Sequence, residues 1–476
     1  MTILDKRKFY IDGSWVDPIQ PNDLIVLNPA NEEEIATISL GSPADIDMAV
    51  KAARRAFESF SSTSKQERLD LLESILAVYK KRYDEMAEVI SLELGAPISM
   101  SRESQAAVGV SHLKGFLKAF ETLTPSQKLD SGDTILREPI GVCGLITPWN
   151  WPVNQIVLKV LPALAVGCTT ILKPSELTPL SAMLYAEILH EAGCPKGVFN
   201  LVNGDGPVTG ATLSRHRDVD MMSFTGSTRA GIAVTKDAAD TIKKVTLELG
   251  GKSPNILFAD ADVEKAVKRG VFGCFYNSGQ SCNAPTRMLV ERSIYAKALE
   301  IAKKTGEIQQ VGDPAEDGRQ IGPVVSALQY ERIQKLINAG VAEGATLLVG
   351  GPGKPAGFET GYYVKPTIFC DVGNEMRIAQ DEIFGPVLAI IPFEDEDEAI
   401  QIANDTPYGL AAYIETGDLG KAERVAAKLR AGQIFINGVE CAADSPFGGY
   451  KMSGLGREGG LFGLEDFLEI KVVSNH

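Results

Sequence analysis

The sequence predicts an α/β protein built from two large units, and three observations lead there. At 476 residues the chain exceeds what one hydrophobic core usually holds, so two domains plus smaller elements are expected. From about residue 138, short apolar runs of strand character alternate with helical stretches, the signature of a parallel sheet covered by helices. Hydrophobic residues make up 44% of the chain and charged residues 23%, a balance that supports an ample core and excludes global disorder.

Residues 1 to about 40 read as short strands and turns, KFYIDGSWV and LIVLNPANEEEIATISL. SPADIDMAVKAARRAFESF then becomes helical, with Ser42 as N-cap, Pro43 at the first helical position and Asp45 three residues after the cap. A longer helical run, SKQERLDLLESILAVYKKRYDEMAEVISLELG, is expected to end at Gly95. Both runs place apolar residues at helical spacing and read as packing elements. Between 138 and 258 the strand-like runs are IGVCGLIT, CTTILK, GVFNLVNG, DMMSFTG, KKVTLEL and SPNILFA. They predict a doubly wound, dinucleotide-type domain. A second α/β region follows from about 251 to 449, with RMLVE, TLLVGG, VLAIIPF and GQIFING as its strands.

The formal charge is −15 with no compensating basic stripe, which argues against nucleic acid or an anionic membrane surface as partner. The N-terminal MTILDKRKFYIDGSW has no long apolar segment, and the longest apolar stretch, VLPALAVGCTTIL, is too short to span a bilayer. Seven cysteines, at 143, 168, 194, 274, 282, 370 and 441, form no CxxC pair. A reducing, cytoplasmic compartment is expected, with neither a disulfide framework nor a metal site.

Three stretches are candidates for phosphate or nucleotide binding. GLGREG, 454 to 459, matches a dinucleotide fingerprint in letters only, because the seventeen residues after it cannot build the βαβ unit the fingerprint requires. In FTGSTRAG, 224 to 231, a buried strand runs through glycine into a helical pattern, and the backbone N–H groups of such a helix start suit a pyrophosphate. ILKPSE places Lys173 and Glu176 just after another strand, at the edge where open α/β sheets bind ligands. Glu176 would repel a 2′-phosphate and so favours NAD over NADP.

FYNSGQSCNAPTR, 275 to 287, offers Cys282 as nucleophile. A free thiol is only a few per cent ionised near neutrality and needs activation. None of His112, His190, His216 and His476 sits in a motif-like setting, which leaves a Cys-His pair unsupported. TPWNWP instead offers Asn150 as a neutral donor for an oxyanion. LELGGKS offers Glu248 before a Gly-Gly turn as a general base.

With these residues in hand, the sequence closely resembles the aldehyde dehydrogenase superfamily along essentially its whole length. The resemblance rests on PWNWP, KPSE, FTGSTRAG, LELGGKS, FYNSGQSC, EIFGPV (382 to 387), NDTPYGL (404 to 410) and SPFGGYKMSG (445 to 454) in the family's order. It implies a Rossmann-like NAD-binding domain over 1–123 and 142–250, a catalytic α/β domain over 251–449, and an oligomerisation arm with C-terminal tail over 124–141 and 450–476. LDSGDTILREPIG would be the arm and FLEIKVVSNH would pair nearby, in a homodimer or homotetramer.

The resemblance also implies roles. Cys282 attacks an aldehyde to form a thiohemiacetal whose oxyanion is held by Asn150 and the Cys282 N–H, and Glu248 activates the water that hydrolyses the later thioester. Lys159 would assist proton transfer, unless it is a helix lysine whose ammonium reaches solvent. The thiolate is expected to be favoured by backbone dipoles and the cationic nicotinamide. Glu382 would hold the nicotinamide ribose with Phe384 beside it, and Lys173, Ser175 and Glu176 would hold the adenosine ribose. Ile146, Thr147, Pro148, Trp149, Gly206, Pro207, Phe224, Gly226, Ser227 and Leu249 complete the expected cofactor contacts, with NAD preferred and NADP possible.

Gln155, Leu158, Tyr276, Ser281, Glu440 and Phe447 are expected to line the aldehyde tunnel. That set holds few bulky aromatics and no arginine, which suggests a roomy pocket with no clamp for a carboxylate. A medium-chain aliphatic or aromatic aldehyde is expected, with a semialdehyde as the alternative. Glu440 and Asp444 at the mouth disfavour strongly anionic substrates. A CoA-acylating enzyme, a cysteine hydrolase and a non-catalytic relative are the competing readings. The carboxylate at Glu248, the nucleotide motifs and the intact nucleophile weigh against them in turn.

Overall fold

The computed structural model describes residues 3–474; His476 and the last residues of FLEIKVVSNH lie outside the described residues. Two sheets organise the chain. The first has eight strands in the order Gly454–Leu455, Lys244–Glu248, Met221–Thr225, Val142–Ile146, Thr169–Lys173, Phe199–Leu201, Phe9–Ile11, Ser14–Val16. Its five central strands, Lys244–Glu248 through Phe199–Leu201, are parallel. Chain order runs outward from Val142–Ile146 to one side, then returns to its other side at Met221–Thr225. The strand order therefore reverses between those two strands, and the crevice above their carboxyl ends is where a doubly wound sheet binds its ligand.

The second sheet has seven strands, Thr346–Val349, Thr367–Cys370, Val387–Phe393, Arg287–Glu291, Pro254–Leu257, Ala411–Glu415 and Gln433–Ile436. It is parallel except for the first pair. SPNILFA, grouped by its apolar run with the first sheet, thus belongs to the second, and the Gly250–Gly251 turn is the crossing point between the two. Ala411–Glu415 and Thr367–Cys370 were not anticipated as strands.

A three-stranded antiparallel sheet of Ser126–Lys128, Thr134–Pro139 and Leu468–Val473 forms the arm. The stretch 450–476, expected to serve only as a tail to this arm, is divided. Leu468–Val473 joins the arm, while Gly454–Leu455 adds an antiparallel edge strand to the first sheet against Leu247 and Glu248.

The helices follow their caps. Ser42 accepts from the Asp45 N–H and the Asp45 carboxylate accepts in return from the Ser42 N–H, a closed capping box at the start of Pro43–Phe60. The second helical run is not continuous: it breaks at Arg82, whose backbone leaves helical values, into Lys65–Lys81 and Tyr83–Leu94. It ends at Gly95 in the left-handed region, as expected. Helix Pro179–Glu191 has no cap of its own; the buried Glu93 carboxylate accepts from the Leu180 and Ser181 N–H groups. Among the described residues no helix is long and apolar enough to cross a membrane, and no group of three or more His, Cys, Asp or Glu could hold a metal ion.

Candidate active site

The nucleophile segment follows helix Val263–Phe275 and is shaped by unusual backbone. Asn277 and Ser278 both adopt positive φ, 53° and 56°, and Gly279 follows at 73°. Two non-glycine residues in that region mark strain that surrounding contacts must hold. The contacts are present. Asn277 Nδ2 donates to the carbonyls of Asn150 (2.9 Å) and Gln280 (3.2 Å), Gln280 Nε2 donates to the Asn277 carbonyl, and Gln280 Oε1 accepts from the Val325 N–H. At 279 only glycine fits, because a Cβ would lie 2.1 Å from the Gly385 carbonyl oxygen.

Asn150 is buried in the loop after Val142–Ile146, with its backbone carbonyl held by Gln105 and Asn277. One Nδ2 proton goes to the Gln280 carbonyl at 3.0 Å. The second remains for a ligand oxygen. The Gly250–Gly251 turn brings the remaining pieces in. A Cβ on Gly250 would stand 2.4 Å from Glu382 Oε2, and one on Gly251 would stand 2.3 Å from the Cys282 carbonyl oxygen. Those approaches are why the turn after Glu248 carries two glycines.

Glu248 ends its strand fully enclosed, and neither carboxylate oxygen has a hydrogen-bond partner. Burial, then the nearby Glu458, push its pKa well above the ordinary carboxylate range, while Lys159 and Arg457 pull the other way. Lys159 is completely buried, so its ammonium does not reach solvent; it pairs with Glu458 and donates to Thr225 Oγ1 at 2.7 Å. Glu458 is the site residue that sequence reading missed. It lies inside GLGREG, the stretch set aside as a failed fingerprint.

The protein's own groups pull on the Cys282 thiol in both directions. Backbone N–H groups of Cys282 and Asn283 do favour the anion, but burial and the charges of Glu382 and Glu248 outweigh them and push the thiol up. The cationic nicotinamide expected beside it would act in the other direction, toward the thiolate.

The residues anticipated for a nucleotide gather at the carboxyl edge of the first sheet. Ile146 ends its strand, the Thr147 N–H donates to the Lys173 carbonyl, and Pro148 and Trp149 follow, half-buried. Lys173 Nζ donates to the carbonyls of Pro174 and Gly204 and lies 3.7 Å from Glu176. Ser175 caps the next turn through the Leu177 N–H. Gly206 and Pro207 start an exposed helical turn after Phe199–Leu201. Beyond Phe224 and Gly226, the exposed Ser227 caps helix Thr228–Ala238, and Leu249 packs under Gly231. From the second sheet's side, Glu382 accepts from the Gly251 N–H at 3.0 Å. Phe384 sits at φ 57° with its ring edge-on to Trp149, centroids 5.3 Å apart. A helix N-terminus between two carboxylates, Glu176 and Glu382, is a donor and acceptor set that fits a dinucleotide's pyrophosphate and its two riboses.

Gln155, Leu158, Tyr276, Ser281, Glu440 and Phe447 all line one cavity of about 770 Å³ that also exposes Cys282. Its walls differ from expectation. Trp151, Tyr276, Tyr413, Phe435 and Phe447 make it strongly aromatic, with Tyr413 stacked on Phe435 at 4.8 Å, and Arg269 borders it. That arginine is already paired, because Glu415 accepts from its Nε and from one of its two Nη nitrogens. Asp444 is likewise occupied by Lys118 at 2.8 Å, which leaves Glu440 as the open charge at the mouth.

Known proteins resemble this chain along nearly its whole length. A family model described as the aldehyde dehydrogenase family matches residues 15–473. A 3-succinoylsemialdehyde-pyridine dehydrogenase from Pseudomonas sp is 52% identical over 475 residues, 99% of either chain. The crystal structure of an aldehyde dehydrogenase from Bartonella henselae superposes with a TM-score of 0.98 at 55% identity, covering 99% of this chain and 100% of the other. A cysteine-to-alanine mutant of aldehyde dehydrogenase C from Pseudomonas syringae, in complex with NAD+ and octanal, gives 0.97 at 50% identity, covering 98% and 96%.

Proposed function

Because the chain belongs to the aldehyde dehydrogenase family, an oxidoreductase family, we propose that it oxidises an uncharged aldehyde to the carboxylate with NAD+, hydrolytically and without coenzyme A. The observation that carries this reading is Cys282 in the wall of the aromatic cavity, with an unpartnered Glu248 close enough to act on the thiol and Asn150 bonded to the Gln280 carbonyl two residues before it.

In this reading the Cys282 thiol releases its proton to water in the cavity as sulfur attacks the carbonyl carbon. The resulting alkoxide of the thiohemiacetal is held by the free Asn150 N–H and the Cys282 backbone N–H. NAD+, when bound between Glu176, Ser227 and Glu382, supplies the acceptor for the hydride that leaves the former carbonyl carbon. What remains on Cys282 is a thioester. Glu248 takes a proton from water as that water attacks, the carbon–sulfur bond breaks, and the carboxylic acid leaves. A raised carboxyl suits the base role, since the carboxylate it leaves on ionising is a stronger base than an ordinary one. Glu458 and Lys159 lie behind it as a route for proton return.

Asn150→Ala is expected to lower kcat about 10²–10³-fold with little change in substrate KM, the size of one lost oxyanion donor; steady-state NADH formation measures it. A kcat near wild type would remove Asn150 from the mechanism.

The aromatic walls support an aromatic or medium-chain aliphatic substrate. A second reading, a semialdehyde that carries a ring or keto group, is favoured by the name of the 52% identical relative. Glu176 beside the adenosine site supports NAD over NADP. The test is NADH formation across short aliphatic, long aliphatic, aromatic, keto-aromatic and ω-carboxylated aldehydes, with and without coenzyme A and with NADP+ in place of NAD+. Turnover of aromatic over ω-carboxylated members without coenzyme A is the expected result; dependence on coenzyme A would overturn the hydrolytic role of Glu248. A homodimer or homotetramer fits the arm, whose outer strand exposes Ile470 and Val472.

A further inference from the structure

We infer that Arg269 and Asn255 form a specificity site in the wall of the aldehyde cavity, which takes an uncharged hydrogen-bond acceptor of the substrate, such as a ketone, several atoms from the reacting carbon. The inference deepens the oxidation reading above and rests on it.

Asn255 lies on the strand Pro254–Leu257, in register with Tyr413 on the neighbouring strand Ala411–Glu415. Alternation puts Asn255, Tyr413 and Glu415 on one face of the second sheet, and all three line the cavity. Tyr413 marks the end nearest the nucleophile, because its hydroxyl donates to the carbonyl of Asn283 at 2.9 Å. Glu415 stands two residues further along the same strand, about 7 Å on. Helix Val263–Phe275 supplies the facing wall, with Arg269 and Gly270 both in the cavity lining. A Cβ on Gly270 would lie 2.6 Å from Asn255 Nδ2, so the glycine lets the amide rest against the helix backbone next to Arg269.

Both polar side chains have capacity left. Asn255 is 2% exposed, and among the described residues nothing bonds to its Oδ1. A buried amide so placed is costly unless a ligand or water completes it. Arg269 donates to Glu415 from Nε at 3.0 Å and from one Nη. Two of the five guanidinium N–H donors are thereby used, and the other Nη has no acceptor among the described residues. The guanidinium is also fixed in place, since a Cβ on Gly438 would come within 2.6 Å of Arg269 Cδ and Nε. Glu415 cancels the arginine's charge, so the pair offers donors without a net pull on an anion. A substrate carboxylate would meet Glu415, and Glu440 at the mouth, as like charges. A ketone oxygen has two lone pairs and accepts from both Arg269 and the Asn255 amide.

The test compares kcat/KM for 4-oxo-4-phenylbutanal and 4-phenylbutanal, which differ in one keto oxygen, by NADH formation in the wild-type chain, Arg269→Lys and Asn255→Leu. Lysine keeps a cation for Glu415 while removing the free Nη, and leucine is close to asparagine in size without its donors. The wild type is expected to favour the keto aldehyde about tenfold, the scale of a hydrogen bond to a charged group. Each variant is expected to bring that ratio to within about threefold of one, through a raised KM for the keto aldehyde rather than a lowered kcat. A wild-type ratio near one, or the full ratio kept in both variants, overturns the inference while leaving aldehyde oxidation intact. So does turnover of neither compound while other aldehydes of the panel react, or a higher kcat/KM for an ω-carboxylated aldehyde of the same chain length. If Arg269→Lys does not fold, Asn255→Leu and the wild type decide the case. No NADH from these or any aldehyde of the panel would remove the oxidation reading itself, and the inference with it.

Discussion

Cys282→Ala is expected to abolish aldehyde oxidation, lowering kcat by at least about 10⁴-fold, because no other group can form the acyl intermediate. The closest alternative thiol, Cys441, lines the same cavity but sits on the exposed mouth loop, away from the Asn150 donor and the Glu248 carboxylate. The substitution removes only the sulfur and leaves the Asn150–Gln280 and Asn277–Gln280 contacts intact, so NADH binding and thermal stability should match wild type. Residual NADH production above one per cent of wild type would show that hydride transfer does not pass through a thiohemiacetal on Cys282.

Glu248→Gln is expected to separate the two halves of the reaction. Hydride transfer needs an oxyanion site and a sulfur nucleophile, whereas release needs a base for water. Mixing the variant with aldehyde and NAD+ should give a burst approaching one NADH per active site. Steady turnover should then fall about 10²–10⁴-fold, the range for a lost general base. Quenched samples should contain the acyl group on Cys282, detectable by mass and released by hydroxylamine. In the wild type, turnover limited by hydrolysis should rise with pH through the elevated pKa of Glu248, because only the ionised carboxylate accepts a proton; the variant should lose that dependence. Stability gives a control. Neither Glu248 oxygen has a partner, so exchanging a buried acid for an amide of the same shape should leave the melting temperature unchanged or higher. Absence of a burst would mean that Glu248 is needed already to take the thiol proton.

Much of this site was legible in sequence because its key residues sit where strands end. Asn150, Lys173, Ser227 and Glu248 each follow or close an apolar run, and parallel strands deliver their ends to one edge. Three things were not legible. The pairing of Lys159 with Glu458 joins positions 299 residues apart, and no local pattern announces it; the glycines around Glu458 suggested only a nucleotide loop that could not be built. The aromatic walls were missed because Tyr413 lies on a strand that the sequence did not announce, Ala411–Glu415, and pairs there with Phe435 on a neighbouring strand. The upward push on the thiol was missed because it comes from burial and from Glu382, 100 residues downstream. In the fold, SPNILFA was grouped with the wrong sheet for a related reason. An apolar run shows a buried strand, and only the Gly-Gly crossing decides which sheet receives it.

The edge strand Gly454–Leu455 bears on how the enzyme is made. Glu248 is fixed from its open side by residues synthesised some two hundred positions later: Gly454 pairs with it, Ser453 receives the Leu249 N–H and donates to Gly250, and Glu458 closes the space behind. At roughly 5–20 residues per second, a nascent chain spends many seconds with its first sheet complete but for that edge. During this interval it displays a cysteine and a nucleotide crevice without a framed base. In the proposed mechanism the framed base would therefore arrive last in translation, after the nucleophile it serves.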